Sequence, residues 1–171
     1  TGVLFISTDF ANGDVGVAGS FSVSSGGGIG LPDVGTLFSA SGTVTVMFNT
    51  TLHDKTLELP DAFRPLLRPG EPTTITVYKA APGLDGQPRA NAPAGGEVYV
   101  KATIAAELTI GGVLTLNGFI GITAAVDPTG TAYFQVDGAV GTTVPFLGSL
   151  TGVVNLAVYV GAKTGVVGRV Q

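Results

Sequence analysis

The chain has 171 residues, of which 44% are hydrophobic and 12% charged, with 27 glycines, no cysteine and a net charge of −4. This length supports one or two compact domains, and a low charged share with abundant Gly, Thr, Ser and Val points to strands and turns. An acidic chain without a basic cluster excludes nucleic acid as a partner, and the lack of Cys excludes disulfides, thiolate metal sites and thiol redox chemistry.

Thr1-Gly2-Val3-Leu4-Phe5-Ile6-Ser7-Thr8 reads as the first strand. Asp9-Phe10-Ala11-Asn12-Gly13-Asp14 then sets three oxygen-bearing side chains close together, which suits a plain turn and would also suit a calcium ion. Gly27-Gly28-Ile29-Gly30-Leu31-Pro32-Asp33 shares glycines and an aspartate with the Gly-Gly-x-Gly-x-Asp calcium repeat. It occurs once and carries an extra residue, whereas that repeat works when stacked. No cofactor is therefore expected, and calcium is the one candidate ion. Residues 37–48 alternate apolar and small polar side chains and predict another strand. Asn49-Thr50-Thr51 matches the glycosylation acceptor pattern.

Residues 53–107 differ from both flanks. They hold 13 of the 20 charged residues and seven of the ten prolines, so they read as a polar, Pro-rich insertion between β-rich flanks at 1–52 and 108–171. Pro65 and Pro69 limit any helix to a single turn. Residues 73–79 alternate and predict a short strand, and 80–96 reads as a surface loop punctuated by Pro82-Gly83 and Asp85-Gly86. Catalytic candidates here are thin. His53 is the one histidine, and no Gly-x-Ser-x-Gly elbow supports a Ser-His-Asp triad. Glu97 and Glu107 are ten residues apart, too far along one strand to cooperate as a carboxylate pair, and Glu58 and Asp61 flank a proline turn. No enzyme is expected. Tyr78, Tyr99 and Tyr133 are expected to pack on sheet faces.

The region 113–145 carries the firmest local expectation. Apolar residues hold the even positions on both sides of Asp127-Pro128-Thr129-Gly130, a type I turn followed by a left-handed glycine. That turn pairs Asp127 with Thr131, Val126 with Ala132, Ala124 with Phe134, and Ile122 with Val136. Arms this long predict a bulge or bend near Gly118 or Gly138. A second alternating run, Leu150 to Val160, leads to Ala162-Lys163-Thr164-Gly165. The same turn would set Val160 against Gly168 and Val158 against Val170. Gly42, Gly118 and Gly152 hold matching places in three degenerate copies of the pattern.

Residues 1–8, placed after Gln171, would extend the last arm in phase, with Val3 opposite Val154 and Phe5 opposite Gly152. Consecutive units would then join through strand pairing that involves Val3, Phe5, Gly152, Val154, Val166 and Val170.

The runs Leu114-Thr115-Leu116-Asn117-Gly118-Phe119-Ile120-Gly121-Ile122 and Gly148-Ser149-Leu150-Thr151-Gly152-Val153-Val154, with 37–48, resemble the repeat regions of very large bacterial secreted and cell-surface proteins of the adhesin type. The resemblance is one of style, and no functional residues carry over. It implies an extracellular or cell-surface location in a bacterium, stacked β-sheets and a role in adhesion or fibre formation. The expected fold is all-β, with long antiparallel hairpins in a sandwich or stacked repeat unit. The expected function is a non-enzymatic unit of a filament, sheath or adhesin stalk, whose partner is itself and which does not insert into a membrane. A soluble carbohydrate- or ligand-binding sandwich is the alternative, and an outer-membrane β-barrel is the third reading.

Overall fold

The computed structural model describes residues 2–25, 38–66, 72–83, 85–110, 114–144, 148–161 and 164–171, among which no α-helix occurs. The period-two patterns form strands β1 (Gly2–Asp9), β2 (Asp14–Ser25), β3 (Phe38–Asn49), β4 (Lys55–Glu58), β5 (Thr74–Val77), β6 (Val98–Ile110), β7 (Leu114–Val126), β8 (Ala132–Val144), β9 (Gly148–Val160) and β10 (Gly165–Val170). Eight of them make one antiparallel sheet in the order β1-β2-β3-β6-β7-β8-β9-β10, and β4 pairs separately with β5. The chain is therefore all-β, as its composition predicts. Each long strand lies beside the next long strand in sequence.

The β7–β8 hairpin has the predicted register, with Val126 opposite Ala132, Ala124 opposite Phe134 and Ile122 opposite Val136. The Asp127 N–H donates to Thr131 O and the Gly130 N–H to Asp127 O, both at 3.0 Å. Gly130 takes φ 80°, in the left-handed region that glycine enters without steric cost. Asp127 Oδ1 also accepts from the N–H groups of Thr129 and Thr131, each at 2.9 Å.

Two expectations need correction. No bulge interrupts β7 and β8, whose register runs unbroken from Val126–Ala132 to Leu116–Thr142. The glycines serve packing instead. A Cβ on Gly138 would lie 2.9 Å from Val154 Cγ1, and one on Gly118 would lie 3.3 Å from Val140 Cγ2. In the β9–β10 hairpin, Val158 faces Val166 and not Val170, a shift of 170 − 166 = 4 residues. An even shift leaves each side chain on its expected face. Val154 now lies between Gly138 and Val170. It has no free edge to offer Val3, so that particular contact is ruled out. Gly152 pairs with Val140 on β8. Val3 and Phe5 lie on β1, opposite Ser20 and Ala18, while Val166 and Val170 lie on β10, at the other edge of the sheet.

The matching glycines of the three copies fall on one line. Gly42, Ala106, Gly118, Val140 and Gly152 are successive partners across β3, β6, β7, β8 and β9. Gly42, Gly118 and Gly152 thus share one row across the sheet.

The insertion spans 50–97, between β3 and β6; the last ten residues of the charged stretch 53–107 belong to β6 of the main sheet. Asp61–Leu66 forms a short 3-10 helix that includes Pro65. Arg64 bridges Glu58 at 2.7 Å and Asp61 at 3.0 Å. The insertion folds over one end of one face of the sheet, where Ala81, Tyr99 and Ala125 form a small core with Met47 and Tyr133 packed against it.

Candidate functional site: two faces of one sheet

The pleat sends alternate residues to opposite faces, and the register carries that division across all eight strands. Asp9, Asp14, Lys101, Glu107, Asp137 and Arg169 are the charged residues of the large sheet. All six fall on one face, together with Ser20, Thr45, Asn117, Gln135 and Asn155. The opposite face has no charge. It presents Leu4, Phe21, Val100, Ile120, Phe134 and Leu150, whose relative exposures range from 43% to 63%. Strands of 6 to 13 residues, at about 3.3 Å per residue and about 4.8 Å apart, give this face roughly 1,400 Å². Apolar patches on soluble monomers seldom exceed about 600 Å².

Several glycines on the apolar face are covered by their neighbours, although Gly152 is exposed. The Phe21 ring lies over Gly2, and Phe48 Cζ would be 2.7 Å from a Cβ on Gly19. Phe21 and Phe48 also stack, with centroids 6.1 Å apart. Bulky side chains leaning over glycine gaps level this surface.

On the polar face, the insertion is held by a buried ionic cluster. Glu97 is fully buried. Its Oε1 accepts from the Ala81 N–H at 2.7 Å and the Tyr133 hydroxyl at 3.0 Å, and it pairs with the Arg89 guanidinium. Arg89 Nε donates to Ala81 O at 2.7 Å, and its guanidinium lies 5.4 Å from the Tyr133 ring centroid. Among the described residues no group donates to Glu97 Oε2. Lys101 is also buried, and its ammonium donates to the carbonyls of Pro82 and Gly83. Burial lowers its pKa, against the pull of Asp137. Asp137 accepts from Gln135 Nε2 at 2.7 Å and from Asn155. Beside this cluster lies a pocket of about 170 Å³, lined in part by Arg89, Thr123, Tyr133, Gln135, Asp137 and Asn155. A wider hollow of about 960 Å³ lies on the same face beyond the insertion, lined in part by Ser24, Thr43, Glu107, Asn117 and Thr151.

The sequence candidates take structural places. His53 is exposed, and its carbonyl accepts from the Asn49 amide. Glu107 opens onto the wide hollow while Glu97 is sealed under the insertion. Asp9 accepts from the Asn12 backbone and amide at 3.2 and 2.7 Å, and Asp14 pairs with Lys55, which lowers its pKa. Both Asp9 oxygens and Asp14 Oδ2 are thus engaged within the chain, while Asp14 Oδ1 is buried with no hydrogen-bond partner among the described residues. Residues 27–33 lie outside the described residues. Asn49 is fully buried with Nδ2 donating to His53 O and Tyr78 O, at 2.8 and 2.9 Å. A glycan on that nitrogen is incompatible with this fold. Tyr99 and Tyr133 pack on the polar face, as expected of them. The cluster of Arg89, Glu97 and Lys101 is the feature that sequence reading did not find.

Burial, reinforced by the Glu97 charge, raises the pKa of both Tyr99 and Tyr133 above the ordinary tyrosine value of 10.0. Both therefore hold their protons in the folded chain after the unfolded chain has lost them. Their contribution is intact below about pH 10 and declines above it, by about 1.4 kcal/mol per pH unit for each residue. Alkaline titration should show tyrosinate absorbance rising together with loss of the β-sheet circular dichroism. Ionisation of these two residues in a chain that keeps its β signal would contradict the burial described.

No family model, no curated protein and no solved structure matches this chain.

Proposed function

We propose that this chain is a non-enzymatic, extracellular structural unit of a bacterial filament, sheath or adhesin stalk. Its working surface is the charge-free sheet face, and the insertion at 50–97 is displayed on the other side. One observation supports this above all: every charge of the eight-stranded sheet is on one face, and the other, roughly 1,400 Å² in extent, carries none. A surface of that size and composition is a packing surface. The polar face supports the same reading, since Glu97 and Lys101 are occupied in fixing the insertion. The extracellular location rests on the resemblance of the 114–122 and 148–154 runs to secreted repeats.

Electron microscopy of the purified chain in detergent-free buffer tests this reading. Filaments or ordered sheets are expected. A uniform population of dispersed particles, no larger than one or two chains, would overturn it.

A second reading has one observation in its favour. Strands of 13 residues, such as β7 and β8, tilted about 45°, raise a charge-free band about 30 Å high, which matches a bilayer's hydrocarbon core. The wall of a membrane β-barrel would look like this. Against it, β1 and β10 are the two edges of the sheet and do not pair with each other, and hydrocarbon tolerates no bare strand edge.

A further inference from the structure

We infer that the occupant of the apolar face is a second copy of the same face, so that two chains stack sheet on sheet into one sandwich around a two-fold axis. The inference rests on the reading of that face as a packing surface and names what packs there.

Surface area is the first argument. A folded monomer of 17.1 kDa exposes roughly 7,700 Å² by the usual size scaling, yet this chain exposes 10613 Å². The excess of roughly 2,900 Å² far exceeds the ~800 Å² per partner of a stable protein contact. The second argument is the distribution of buried residues. Those that are apolar and buried among the described residues are mostly small: Ala18, Ala80, Ala81, Ala125 and Ala157 stand beside Val3, Leu59, Val77 and Tyr99. Apart from Val153, the large aliphatic side chains of β6 to β9 lie on the open face, so most of the material for a core is on the surface of the single chain.

The third argument is complementarity. A two-fold contact needs a surface that matches itself. A charge-free face of Val, Ile, Leu and Phe levelled over glycines contains no group that a copy would repel. Stacking two such faces about 10 Å apart puts both polar faces and both insertions in water, the normal arrangement of a β-sandwich. Strand edges in such a pair stay in water, where their backbone groups are satisfied.

The test uses the full chain in detergent-free buffer, with light scattering and thiol labelling. Ile104 and Ile120 are direct partners in mid-sheet, and both are solvent-exposed in the single chain. Wild type should give assemblies of several pairs, at multiples of the pair mass, 2 × 17.1 = 34.2 kDa; a lone pair would uphold the paired face while overturning the filament reading. Ile104→Lys with Ile120→Lys should give single chains or lose the folded state. Because loss of folding would obscure the mass, a second readout uses the absence of native Cys. Ile122→Cys, on the apolar face, should react with maleimide at least tenfold more slowly than Thr151→Cys, on the polar face, and the two rates should converge in urea.

Assemblies in which both sites label equally fast would overturn the paired face while leaving assembly through strand edges, and so the structural role, in place. Single chains whose Ile122→Cys site is shielded on addition of phosphatidylcholine vesicles would replace the second copy with lipid. Single chains labelling equally at both sites, with or without vesicles, would overturn this inference and the packing-surface reading together.

Discussion

Replacing Glu97 by alanine is expected to lower the unfolding free energy by roughly 3–5 kcal/mol, the usual cost of breaking a buried ion pair from one side. The carboxylate is fully buried and joins three separate parts of the chain: the Ala81 N–H, the Arg89 guanidinium and the Tyr133 hydroxyl. Without it, Arg89 keeps its bond to Ala81 O but loses its counter-charge, and both the Ala81 N–H and the Tyr133 hydroxyl lose their acceptor. Against a total stability of about 5–15 kcal/mol for an ordinary domain, that is a large fraction. Glu97→Gln keeps the shape and one acceptor oxygen, and should cost less than alanine. Urea unfolding followed by circular dichroism gives both values. A Glu97→Ala midpoint within experimental error of wild type would mean that the insertion is not anchored by this cluster.

The same cluster shows where sequence reading ends. Glu97, Tyr99 and Lys101 alternate at the start of β6, which marks their shared face, but nothing in that spacing says the face is covered. The partners come from residues 81–89 and from Tyr133, and only the folded path of the insertion brings them together. The β7–β8 hairpin was legible because its information is local: the Asp127 side chain, Pro128 and the left-handed Gly130 specify the turn, and the alternation specifies the register. The β9–β10 hairpin carried two competing glycines, Gly161 and Gly165. Gly161 turns the chain, with φ 129°, and a Cβ there would lie 2.9 Å from Gly130 O in the neighbouring turn. That choice depends on the adjacent hairpin, so no local pattern could reveal it. The division of charge between the two faces was latent in the alternation of every strand. It became one property of one sheet once the meander order was known.

Asn49 gives the second large effect. The residue ends β3, between Ala18 and Tyr99 in the sheet, and its amide holds the start of the insertion. Nδ2 donates to His53 O at 2.8 Å and Tyr78 O at 2.9 Å, while Oδ1 accepts from the Thr51 N–H and hydroxyl, both at 2.8 Å. Asn49→Ala leaves the Thr51 N–H without an acceptor and takes one of two donors from each of the carbonyls of His53 and Tyr78, which keep the hydroxyls of Thr51 and Tyr99. At about 1–3 kcal/mol for a dry N–H and about 1 kcal/mol for each lost hydrogen bond, a total near 3 kcal/mol is expected. Asn49→Asp separates hydrogen bonding from size. At neutral pH it places an acceptor oxygen against two carbonyl oxygens and should be worse than alanine. Below about pH 4, protonation restores one donor, and part of the loss should return. Stability of Asn49→Asp measured at pH 7 and pH 3.5, each relative to wild type at the same pH, reads this directly. A deficit that does not shrink in acid would mean that the carbonyls of His53 and Tyr78 do not depend on this amide. The Asn49-Thr50-Thr51 sequence would then have to be explained by something other than the joint between sheet and insertion.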